Sequence, residues 1–332
     1  MTPTTLRPAS KSRLAIAAAA ALLSAAPAMA QTGADLLLKP YKEGTNYELQ
    51  FDAGWAFQSE TDNGPGYDIS IGYLGGQGRA AFLKGNQARP LAGFEIHHLF
   101  LDTNDPALPD NLGDYSAGVG FGIFSQDGWI GGLSLGVGYA AAQPFEDGDG
   151  YYGKATLVVG KEDAWRGWTI GVALDYDGNR TAFPDVPLPG FVMRKKFDQY
   201  HATVSLGFPV TGVIWQPNDQ WDIEVNYLFP DDANAKVTYY VTPQFGVYGS
   251  VAQSSDAFKY DLGDNNLDRL IYTQRRAELG VDWKASESVS VLVAGGYSFG
   301  RRFTYGFDTR DDVKVADLDD GPYARLSVQI TR

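Results

Sequence analysis

Three histidines, His97, His98 and His201, offer the most chemistry in a chain of 332 residues that has no cysteine. A hydrolytic site needs a serine, a histidine and an orienting Asn or Asp brought together. His98 falls on the apolar, outward-facing side of an extended segment, and no serine stands beside it. His201 and Ser205 share the opposite parity on one segment but lie too far apart for a direct hydrogen bond. Neutral wall histidines are the better reading, so no catalytic residue is assigned and a barrel hydrolase ranks third among the functions considered. Carboxylates cluster at Glu146-Asp147-Gly148-Asp149, in 256–268, in 308–312 and in 317–320. Hard cations take such oxygens, yet none of these runs has the spaced loop ending in Glu of an EF-hand. They read as solvated loops, bridged to lipopolysaccharide phosphates through divalent ions, with no dedicated metal site and no cofactor.

A second set of ionisable residues recurs at every other position between apolar neighbours. Glu48 and Asp52, Lys154, Asp175, Asp222 and Glu224, and the ladder Arg276, Glu278 and Asp282 all fall on the parity opposite the large apolar groups. In a narrow barrel such charges pair and fill the interior. In a wider one they line a water-filled path and bias it toward cations. Arg275 falls on the outward parity, where it would meet lipid phosphate unless the register is one residue off; Arg301-Arg302 would form a similar rim.

The elements that must position these groups are clearest in residues 114–142. Tyr115, Ala117, Val119, Phe121 and Ile123 alternate with small residues, then Gln126-Asp127-Gly128 turns the chain. Trp129, Leu133, Leu135, Val137 and Tyr139 alternate in the same way on the return. A period of two puts the large apolar groups on one face of a strand and the small or polar groups on the other. Rings gather at strand ends, as they do in membrane barrels, where Trp and Tyr prefer the two membrane–water interfaces. The same alternation recurs from residue 46 to the end and predicts an all-β, transmembrane, antiparallel up-and-down barrel of about fourteen strands, with twelve as the alternative. In this count 178–197 is a long loop with a proline cluster, while 75–89 and 208–220 are unusually long turns. The remaining turns alternate short and long. With the short ones on the periplasmic side, Trp129, Trp168, Trp221 and Trp283 sit at periplasmic ends, and Tyr115, Tyr139, Tyr151, Tyr176 and Tyr297 at outer ends.

Composition agrees with export to a membrane. Arg7, Lys11 and Arg13, the apolar run 14–23 and Ala28-Met29-Ala30 form a signal peptide over 1–30, cleaved before Gln31 after passage through the Sec pathway. Residues 31–45 read as a periplasmic tether and 46–332 as the barrel. Losing three basic residues with the leader takes the net charge from -13 to -16, which argues against nucleic acid as a partner. No later apolar run is long enough for a membrane helix. The 39 glycines, the abundant aromatic residues and the slightly hydrophilic composition suit a barrel with one wet face and one lipid face.

The passage Phe208-Pro209-Val210-Thr211-Gly212-Val213-Ile214-Trp215-Gln216-Pro217-Asn218-Asp219-Gln220-Trp221, with a turn at Pro230 and a strand–Thr242-Pro243–strand unit, resembles a family of Gram-negative outer-membrane barrels known only as a domain of unknown function. The resemblance covers mainly the C-terminal half and implies a location rather than an activity. The chain departs from the usual aromatic end of such barrels by closing on Gln329-Ile330-Thr331-Arg332, so recognition by the barrel assembly machinery would fall to Ile330 or to other strands. The expected role is a passive, porin-like channel in the outer membrane of a Gram-negative bacterium, with an acidic, cation-favouring lumen. The alternative is a closed structural barrel acting through long acidic surface loops. The expected partners are outer-membrane lipid, lipopolysaccharide and the assembly machinery; oligomeric state is left open.

Overall fold

Period-two alternation becomes sheet along the whole described chain. The computed structural model describes residues 46–63, 66–81, 90–146, 148–229, 232–260 and 269–332. The predicted leader, 1–30, and tether, 31–45, lie outside these residues. In chain order the strands are β1 (Tyr47–Glu60), β2 (Asp68–Ala81), β3 (Leu91–Thr103), β4 (Asn111–Gln126), β5 (Trp129–Ala141) and β6 (Tyr151–Trp165). There follow β7 (Trp168–Asp177), β8 (Leu188–Phe197), β9 (Ala202–Phe208), β10 (Val210–Asn218), β11 (Trp221–Leu228) and β12 (Asp232–Thr242). The last are β13 (Phe245–Lys259), β14 (Arg269–Lys284), β15 (Val289–Gly306), β16 (Val313–Leu318) and β17 (Gly321–Thr331).

Each strand from β1 to β15 pairs antiparallel with the next, and β17 pairs with β1, so the sheet closes. The upper part of β15 pairs with β16 and the rest with β17, which makes β16 and β17 one wall strand interrupted at Asp319-Asp320. The wall therefore has sixteen positions, not the fourteen or twelve expected from alternation. The two missed strands are β8, within the predicted loop 178–197, and β10, within the predicted turn 208–220. Pro189, Pro209 and Pro217, and the cations Arg194, Lys195 and Lys196, hide their alternation. Because two strands were missed, every strand after β10 keeps its expected up–down direction and each of its ends the expected rim. β2 also runs on to Ala81, through the first part of the stretch read as a turn.

An even strand number brings both ends of the wall to one rim, where Tyr47 and Arg332 exchange backbone hydrogen bonds of 2.9 and 3.0 Å. The tightest turns lie at this rim. Asp127-Gly128 and Arg166-Gly167 all have positive φ, the geometry of two-residue hairpins that match strand twist. Apolar side chains cover the outer face, with Val137 68% and Leu279 73% exposed. In water such a belt would be an aggregation surface, whereas in lipid it is the solvated face.

At the opposite rim the wall is uneven. β15 has 18 residues and β14 has 16, against 8 in β11 and 7 in β9. About 9–11 residues cross a bilayer, so the long strands carry a surplus beyond it. That surplus folds inward. Both faces of the β13–β14 tip are covered: Phe258 and Leu270 on one, Ala257 and Ile271 on the other. Lys259 of β13 bridges to Ala141 of β5, half-way round the wall, and the Ala142 N–H donates to the Lys259 carbonyl at 3.2 Å. An apolar cluster that includes Ile69, Leu99, Leu101, Phe258, Leu270 and Phe303 fills the interior beside it. The sheet is thus a closed barrel with an apolar outer face over most of its height and a soluble-type core at its loop rim.

Candidate functional site

The interior is the site, and register defines it residue by residue. On β1 the exposed Phe51, Trp55 and Phe57 fix the outer parity, so Glu48 and Asp52 point in. Exposed Leu135 and Val137 do the same for β5 and, through pairing, for Lys154. Leu174 places Asp175, and Val225 and Val237 place Asp222 and Glu224. Val247 and Leu279 place Arg276, Glu278 and Asp282. All nine charged residues read from the sequence lie on the inner face.

Most of them have partners there. The Arg79 guanidinium donates to Glu48 through Nε at 3.0 Å and Nη2 at 2.8 Å. Glu278 is a hub: it accepts from Tyr248 at 3.0 Å, Ser250 at 3.1 Å and Tyr323, and pairs with Arg325 at 3.0 Å. Arg276 lies against the rings of Tyr73 and Tyr323, 6.0 and 5.9 Å from their centroids. Lys154 reaches Asp177 at 3.4 Å and Glu95 at 3.8 Å, and Arg180 reaches Asp175 at 2.7 Å. Asp52 accepts from Gln50 at 2.9 Å, and Asp222 from Gln216 at 3.2 Å. Glu224 faces Lys236 across the strand pair. The wall is charged but largely compensated; Asp222, Glu224 and Asp282 gather toward the termini rim, with Lys236 opposite Glu224.

Several partners escaped sequence reading. Arg325 lies on the same alternation as Leu326 and Val328 and was findable by parity. Arg79 sits in the stretch read as a turn, and Arg194 in the strand read as a loop. Asp256, expected in an acidic loop, is on β13 and meets His97 at 3.1 Å from across the interior. His98 does face outward, with Tyr115 at 2.5 Å and Asn111 at 3.4 Å as its partners. His201 occupies the turn between β8 and β9 at positive φ rather than a strand. Arg275 and Arg302 are exposed, whereas Arg301 turns inward and is buried.

The aromatic residues mark two levels. Trp129, Trp221 and Trp283 are exposed next to the short turns, with Trp168 half-buried beside them. Tyr115, Tyr176 and Tyr297 lie toward the loop rim. Tyr139 departs from the expected exposed ring: Phe145 and Tyr151 pack over it with centroids at 4.9 and 5.0 Å, and its hydroxyl donates to Gln143 at 2.6 Å.

Residues 203–313 match the family model of a domain of unknown function, DUF6268. The match takes in both the Phe208–Trp221 passage and the Thr242-Pro243 unit. No curated protein matches the sequence. Among solved structures, the chain is similar to the toluene transporter TodX of Pseudomonas putida at 12% identity, covering 93% of this chain and 95% of that one with a TM-score of 0.42. An outer membrane channel from Pseudomonas putida F1 is 9% identical over 88% and 97% of the two chains, TM-score 0.36. The translocator domain of the autotransporter NalP from Neisseria meningitidis is 12% identical over 87% and 89%, TM-score 0.32.

Proposed function

We propose that this protein is a passive, porin-like channel of the outer membrane, reached by Sec export with loss of residues 1–30. The observation that carries the reading is the two-sidedness of the closed wall: apolar and ring-edged outside, polar and charged within. Only lipid outside and water inside make both faces favourable at once. Trp129, Trp168, Trp221 and Trp283 then mark one interface, and Tyr115, Tyr176 and Tyr297 the other. The inward charges line the path, with Asp222, Glu224 and Asp282 making its termini-side mouth attractive to cations. Lipopolysaccharide would lie against the loop-side wall, and the assembly machinery would insert the barrel.

A second reading, a barrel kept shut, is favoured by the Lys259–Ala141 bridge and the apolar cluster beside it. Purified full-length protein in a planar bilayer separates the two. Discrete conductance with a K⁺ over Cl⁻ preference supports the channel, and silence at protein loads where a known porin conducts supports the shut barrel.

A further inference from the structure

The inward arginines of the described residues are almost all accounted for. Arg79 has Glu48, Arg180 has Asp175, Arg325 has Glu278, and Arg276 has the rings of Tyr73 and Tyr323. Arg301 donates through Nη2 to Ser59 at 2.7 Å and to the Asp319 carbonyl, while its Nε and Nη1 are buried without partners. Arg194 differs from all of these in making no hydrogen bond or ion pair with any described residue. Its parity is inward, opposite Ser205 of β9 and Thr169 of β7. Its Nη1 is buried without a hydrogen-bond partner, and among the described residues no carboxylate pairs with it; Glu162, on the inner parity of β6 next to β7, likewise keeps a buried Oε1 without a partner. Asp175, further along the neighbouring strand, is held by Arg180, and Asp198 in the nearby turn pairs with Lys196 at 3.1 Å.

Ser205 repeats the pattern one strand on. It is fully buried, and its Oγ has no partner. The row Thr169–Arg194–Ser205 is therefore hydroxyl, guanidinium, hydroxyl on three adjacent strands, and Gly212 opposite Ser205 on β10 leaves the next position without a side chain. A buried cation with no protein counter-charge is costly, and a guanidinium fork flanked by hydroxyls matches the two coplanar oxygens of a carboxylate.

We propose that Arg194, with Ser205 and Thr169, forms a binding site inside the barrel for a small carboxylate-bearing solute. The inference deepens the channel reading and rests on it for how the solute arrives: a solute anion, not a side chain, supplies the missing charge.

The test uses acetate as the probe and the full-length barrel in detergent, with binding read from saturable broadening of the acetate methyl resonance at constant ionic strength. Arg194→Gln keeps the side-chain length and should weaken binding by about tenfold or more, the usual loss for a charge-assisted hydrogen-bond pair. Ser205→Ala should weaken it by about threefold, and Arg194→Lys should retain part of it. Equal broadening in wild type and R194Q, or none that saturates in wild type, overturns the site. Folding of each variant is checked by heat-modifiable gel migration. Conductance measured on the same preparations keeps the two readings apart. A silent barrel that still binds acetate through Arg194 retains the site and loses the channel, while a conducting barrel with no Arg194-dependent binding does the reverse.

Discussion

Lys259 at the tip of β13 pairs with Ala141 at the end of β5, although eight wall positions separate the two strands. Neighbouring strands in a closed sheet are about 4.8 Å apart, so this contact exists only because one hairpin leaves the wall and crosses the interior. Phe258 is fully buried next to that contact, and its loss should release the tip. Replacing a fully buried Phe by Ala removes about 3–5 kcal/mol of packing, spent here on one hairpin rather than on the whole barrel. We expect Phe258→Ala to raise mean conductance and to speed backbone amide exchange at Ala257 and Ile271 in detergent. Unchanged conductance and unchanged exchange there would mean that the crossing does not control the path.

Glu278 holds four groups at once, and breaking it should cost more than removing both it and its cation. Glu278→Ala leaves Arg325 buried beside Tyr248 and Tyr323 without its counter-charge. Breaking a buried pair from one side is expected to cost about 3–5 kcal/mol, whereas an apolar replacement of both members can be near neutral. Urea unfolding from lipid vesicles should therefore show Glu278→Ala well below wild type and Glu278→Leu with Arg325→Met close to it. If the double variant is no better than the single one, the pair is not the coupling element.

Glu278 was legible in the sequence because parity alone puts it inside. What it would touch was not, since alternation fixes the face of a residue and leaves its cross-barrel neighbours open. The same limit explains the crossing hairpin: Ile71 looks like any other strand residue and Phe258 falls in the stretch read as an acidic loop, until the surplus length of β13 to β15 is set beside the short β9 to β11. β8 and β10 failed for a different reason. Pro189 and Pro217 carry no backbone N–H, and the run Arg194-Lys195-Lys196 reads as a solvated loop although Arg194 faces inward. The hairpin 114–142 had neither problem, and its register was readable to within one bulge, between Gly122 and Phe124.

Asp62, in the loop after β1, should titrate below the ordinary carboxylate range. The Lys314 ammonium donates to its Oδ2 at 2.5 Å and the Asp317 amide to its Oδ1 at 2.9 Å, and both bonds favour the charged form, holding its pKa below 3.8. A carboxyl whose folded pKa is depressed stabilises the fold above its unfolded value and loses that contribution as pH falls through the folded one. The tie between this loop and β16 should therefore be intact at neutral pH and loosen only under acid. Carboxyl ¹³C NMR should give a midpoint below 3.8, with the Asp317 amide shift following the same curve. In Asp62→Asn that amide should show no such step.

Ion preference should reside at the termini-side mouth rather than along the whole lumen. Glu48 near the same rim, and Asp175 and Glu278 higher up, are each matched by an arginine at 2.7–3.0 Å, and a matched pair presents little net field to a passing ion. Asp222 and Glu224 on β11 and Asp282 on β14 have two nearby cations, Lys236 opposite Glu224 and Lys284, whose ammonium lies 4.5 Å from the Tyr240 ring. Three acids against two bases leave an excess of one negative charge, close enough to the water path to act within a Debye length of about 8 Å at physiological salt. Neutralising the three together as Asp222→Asn, Glu224→Gln and Asp282→Asn should abolish or invert the K⁺ over Cl⁻ preference with little change in conductance. Glu278→Gln should leave the preference where it was, because that carboxylate already belongs to Arg325. Reversal potentials under a salt gradient measure both, and a preference that moves with Glu278 but not with the three mouth acids would relocate the selectivity to the paired interior.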